Sequence, residues 1–93
     1  MTVLERRSAG SLEATYHAAT TGLARLSRRE HEVLRLVALG LSDAGIAAQL
    51  HLPLARVEGL CARIFATLDL VPSPHLDRRV LAVLTLLQAR AAR

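Results

Sequence analysis

The sequence contains no lysine and no asparagine, a single cysteine, and no uninterrupted apolar run of membrane-spanning length. Each absence narrows the field. A spanning helix needs roughly 18 or more predominantly apolar residues. Although 52% of this chain is hydrophobic, arginines and carboxylates recur throughout it. Cys61 alone cannot form an internal disulfide, and a structural zinc site needs several soft ligands. The N-terminus holds Glu5, Arg6 and Arg7 followed by Ser8, Ala9 and Gly10, with no apolar stretch that could act as a signal-peptide core. These features predict a soluble, cytoplasmic protein held together by packing. At 93 residues, the chain buries about 60–65% of its unfolded surface, enough for one core.

All the basic residues are arginines, and the net charge is +4. Arginine excess suits a phosphate-binding or acidic-protein-binding surface. A GC-rich coding sequence, rich in Ala, Leu and Arg codons, explains it as well. The excess gathers at the C-terminus, where Arg78, Arg79, Arg90 and Arg93 outweigh Asp77, whereas residues 54–68 hold only Arg56 and Arg63 against Glu58.

Periodicity and capping signals divide the chain into about five helices. Leu12, Tyr16, Ala19 and Leu23 recur at helical spacing after Ser11, predicting a first helix that ends or frays at Thr20, Thr21 and Gly22. Ser27-Arg28-Arg29-Glu30 reads as a capping box opening a second helix, with His31 or Val33, Leu34, Val37 and Ala38 inward and Gly40 as its left-handed stop. Ser42 caps a short third helix, with Asp43 favourably placed against the helix dipole. The turn His51-Leu52-Pro53-Leu54 leads into a fourth, whose stripe is Val57, Leu60, Cys61, Ile64, Phe65 and Leu68. After the breaker Val71-Pro72-Ser73-Pro74, residues from Asp77 to about Ala92 form a fifth helix. Its apolar surface exceeds what one small core needs. No linker or repeat separates further units, so the chain reads as an N-terminal extension, 1–25, followed by one domain, 26–93.

A short helix, a tight turn and a second helix form the general helix-turn-helix pattern. The string from Leu26 to Ser42, LSRREHEVLRLVALGLS, resembles the opening of the LuxR/NarL-type DNA-binding domain of bacterial transcription regulators, "L-T/S-x-R-E-x-E-V-L" leading to "G-L-S/T". Ile46-Ala47-Ala48-Gln49-Leu50-His51-Leu52-Pro53 is similar to that family's next element. The resemblance covers roughly Leu26 to Leu70 and implies an all-α small helical bundle containing a LuxR-type helix-turn-helix. It further implies double-stranded DNA as partner, with the helix at about 54–68 in the major groove. The reading helix departs from the family pattern. Pro53 replaces a serine cap, Glu58 a lysine that approaches bases and phosphates, and Leu60 a histidine, while Gly59 interrupts the helix centre.

The resemblance places the DNA-facing positions at Ser42, Arg56, Glu58, Gly59, Ala62 and Arg63. The two arginines could instead belong to a solvated face or pair with Glu58 or Asp69, and Ser42 could act as a cap alone. Surplus apolar residues Val80, Val83, Leu84 and Leu87 predict a homodimer interface, unless the first helix covers them. The alternative to a DNA reader is a degenerate helix-turn-helix that binds a protein partner of the transcription machinery. No catalytic set is visible: Glu30 and Glu32 point to different helix sides, the four histidines are scattered, and Cys61 falls on an apolar stripe. Neither a metal nor a cofactor is expected.

Overall fold

The computed structural model describes residues 21–91. Within them lie four α-helices: α1 (Arg28–Ala38), α2 (Asp43–Leu50), α3 (Leu54–Thr67) and α4 (Arg78–Ala91). A single 3₁₀ turn, Leu23–Arg25, precedes them. Five α-helices were expected from the sequence, so the count is corrected to four α-helices and this turn among the described residues. The first predicted helix falls on residues that lie outside the described ones, apart from its end at 21–23.

Local chemistry fixes each boundary. The Ser27 hydroxyl accepts from the Glu30 N–H at 3.1 Å while the Glu30 carboxylate accepts from the Ser27 N–H at 2.8 Å, the complete reciprocal cap. At the other end of α1, Leu41 N–H donates to the Leu36 carbonyl and Gly40 N–H to that of Val37. This closure requires Gly40 at φ +96°, a conformation without penalty only where there is no Cβ. Ser42 caps α2 by accepting from Gly45 N–H at 3.1 Å. His51, at φ 56°, turns the chain left-handed after α2, and Asp69, at φ 57°, does the same after α3. Pro53, at φ −61° and ψ 146°, occupies the cap position of α3 and offers it no side-chain acceptor. Asp77 caps α4 through Arg79 N–H at 2.8 Å.

α1 packs on α3 and α4, and α2 packs on α3, so that one core lies between α1 and α3. Val33, Leu34, Ile46, Val57, Ile64 and Leu68 are its largest fully buried side chains. Of the two inward candidates on α1, Val33 is buried and His31 half-buried. Truncating any of these six to alanine would cost roughly 2–5 kcal/mol, a large share of the roughly 5–15 kcal/mol that holds a small domain folded. No described helix is long and apolar enough to cross a membrane.

Candidate functional site

Helices α2 and α3, joined by His51, Leu52 and Pro53, form a helix-turn-helix. The second helix sets one face into the core. Val57, Leu60, Cys61, Ile64 and Leu68 are buried, while Leu54, Ala55, Arg56, Glu58, Gly59, Ala62, Arg63 and Ala66 are exposed. With a residue every 100° or so around the axis, these exposed positions resolve into three strips. The outermost ridge is Ala55, Gly59, Ala62 and Ala66, small throughout. Arg56 and Arg63, two turns apart, share the flank nearer α1. Glu58 lies on the opposite flank, in a groove that Arg78 and Arg79 also line. The structure thus brings the two arginines together on one side and keeps Glu58 away from them.

Arg56 makes no ion pair among the described residues. Arg63 does, but with neither of the partners considered from the sequence: its Nε donates to Glu30 Oε2 at 3.2 Å. Side-chain exposure is 77% for Arg63 and 7% for Glu30. The Ser27 N–H, ahead of the Arg63 guanidinium, holds the Glu30 carboxyl below its ordinary value of 4.5, against the opposing effect of burial. An added Cβ at Gly59 would meet nothing within 4 Å, so this glycine serves no close approach among the described residues. Leu60 is buried and enlarges the core, which stabilises the fold by about 1.5–3 kcal/mol where a histidine would have offered a polar group.

Ser42 is exposed, with its hydroxyl engaged in capping. Beside it, Arg79 reaches back from α4 to Asp43 Oδ1 and to the Leu41 carbonyl, both at 2.8 Å. Arg78 stacks over the Phe65 ring at 5.0 Å. Two of the C-terminal arginines therefore brace the helix-turn-helix from behind. Cys61 is buried against Asp43, and burial first, then that carboxylate, pushes its thiol up and away from the reactive thiolate.

On α4, Val80, Leu84 and Leu87 are 54%, 46% and 46% exposed, whereas Val83 is half-buried against the core. Three of the four residues assigned to an interface from the sequence thus share one open apolar strip. Sequence reasoning missed Glu30 as a partner of Arg63 and Arg79 as a brace. A capping box announces the Glu30 bond to Ser27, but no local pattern announces a partner 33 residues away.

Comparison with known proteins gives one family. A family model described as "Bacterial regulatory proteins, luxR family" matches residues 24–69, spanning α1, α2, the turn and α3. No curated protein and no solved structure matches the chain.

Proposed function

Residues 24–69 are a domain of the luxR family of bacterial regulatory proteins, and on that premise we propose that the chain is a DNA-binding transcription regulator acting as a homodimer. In this reading α2 braces against the DNA backbone while α3 enters the major groove. The observation that carries it is the outward face of α3, where a ridge of Ala55, Gly59, Ala62 and Ala66 leaves the backbone free to approach a groove wall. Arg56 flanks that ridge near the N-terminus of α3, where recognition helices meet base edges, and Arg63 flanks it further along. Glu58 on the other flank disfavours phosphate locally, and Arg78 and Arg79 in its groove are matched there by Asp43 and Asp77, so phosphate contacts would fall to the arginine flank. Gly59 and Ala62 would face the groove without polar readout, and Ser42 would offer its hydroxyl from the N-terminus of α2. Residues 26–93 would form the DNA-binding unit, with 1–25 as an extension whose last residues, Gly22 to Arg25, dock on the end of α3.

A second reading is favoured by one observation: the ridge itself carries no hydrogen-bonding side chain. A helix-turn-helix so built could instead seat a protein of the transcription machinery. Selection of binding sites from random duplexes with the purified protein separates the two. The DNA reading expects an enriched motif whose binding falls about tenfold or more in Arg56→Ala, since a good arginine-to-base contact is worth roughly 1–3 kcal/mol. Failure to enrich any sequence would overturn it.

A further inference from the structure

Glu30 is the one buried carboxylate among the described residues. Its Oε1 accepts from the Ser27 N–H, and its Oε2 holds Arg63 through Nε alone. The pair is lopsided, one partner in the core and the other in solvent. A guanidinium has five N–H donors in a planar fork, so a grip at Nε leaves the four on its two Nη atoms for something outside the chain. Resting on the DNA-binding reading above, we propose that Glu30 is a positioning residue that fixes Arg63 as a clamp for a backbone phosphate of duplex DNA.

Three features favour a phosphate over a base edge. Arg63 lies nine residues beyond Leu54, about 13.5 Å along α3, whereas the first turns of a recognition helix are those that approach bases. Arg63 also sits on the α1 flank of the helix rather than on its outermost ridge. A planar fork with both ends free matches two phosphate oxygens, and a side chain already held loses less freedom on binding.

Simple electrostatics and positioning predict opposite signs. Glu30 places a negative charge beside a face that would meet a polyanion, so neutralising it should tighten binding by charge alone. Neutralising a positioning group should weaken binding. Glu30→Gln separates the two while its amide oxygen preserves an acceptor for the Ser27 N–H. Binding of a fluorescein-labelled 20-base-pair duplex, titrated by anisotropy across a salt series, would be compared for wild type, Glu30→Gln, Arg63→Ala, the double variant and Arg63→Lys, with circular dichroism as the check of folding. Arg63→Ala is expected to weaken binding and to reduce the salt slope by about 0.9, one phosphate contact. Glu30→Gln is expected to weaken binding about fivefold in the wild-type background and to leave it level or slightly tighter when Arg63 is alanine. Equal weakening in both backgrounds, or tightening in the wild type, overturns the positioning role. Arg63→Lys keeps the charge but not the fork, so it should retain the salt slope and lose affinity several-fold. Its exposure spares the core, so unchanged affinity here overturns the proposal even if Glu30→Gln does not fold. Absence of salt-dependent binding by the wild type overturns the DNA reading together with this inference, whereas intact binding without coupling overturns this inference alone.

Discussion

At Glu30 the physical requirements of folding and of the candidate site meet in one carboxylate. It is held charged by the Ser27 N–H and by Arg63 although it is 6% exposed. Because its folded pKa lies below the ordinary 4.5, the charged form favours the folded state. That contribution is fully present above about pH 4.5, declines as pH falls through the folded value, and is gone below it. The melting temperature of the wild type should therefore fall more steeply than that of Glu30→Gln as the pH is lowered from 6 to 2. The two curves should be furthest apart near neutrality and converge in acid. Parallel curves in a calorimetric pH series would show that Glu30 is not charge-stabilised. The cap itself was legible in Ser27 and Glu30, because it uses backbone groups three residues apart. Its second bond was not, because a contact between α1 and α3 depends on how the helices cross.

Among the elements, what could be read from sequence was whatever local chemistry decides. The starts of α1 and α2 at Ser27 and Ser42, the stop at Gly40 and the buried stripe of α3 all follow from caps and periodicity. The 3₁₀ turn did not, since three residues leave no period to detect. It is fixed by docking on the end of α3, where Arg25 donates to the Thr67 carbonyl at 3.2 Å and Gly22 lies against the same carbonyl. A Cβ at Gly22 would stand 2.5 Å from the Thr67 oxygen and 3.1 Å from Leu68 Cα, both backbone atoms that cannot swing aside. Gly22→Ala should therefore destabilise the fold by about 1–3 kcal/mol. Gly59→Ala, with open space around its Cβ, should instead stabilise it by about 1 kcal/mol. Urea denaturation of the two variants checks both signs. The same alanine at 59 would add a methyl to the outermost ridge of α3, so a gain in stability joined to a loss of DNA affinity would locate the groove wall there. In the candidate site, the arginine positions were legible as types but not as a segregated flank, because only the packing of α3 decides which side faces α1 and which faces α4.

For the whole molecule, the surplus of apolar residues on α4 sets the remaining problem. The core is closed without Val80, Leu84 and Leu87, and each of them remains about half exposed on one strip. Such a strip suits a surface that associates, and a second copy would supply the same strip by symmetry. Two-fold pairing through α4 would also serve the DNA reading. A single α3 presents only Arg56 and Arg63 as basic contacts, and a recognition helix so sparsely charged gains most from a linked partner on an adjacent half-site. Leu84→Arg puts a charge at the centre of the strip and, at a 46% exposed position, leaves the core intact. Sedimentation at micromolar concentrations should show a dimer for the wild type and a monomer for Leu84→Arg, with the two circular dichroism spectra superimposable. Affinity for a duplex carrying paired half-sites should then drop about a hundredfold in the variant, while affinity for a single half-site stays level. A wild type that sediments as a monomer would overturn the dimer, and a variant that remains dimeric would place the association surface elsewhere; either leaves the strip on α4 to a different occupant.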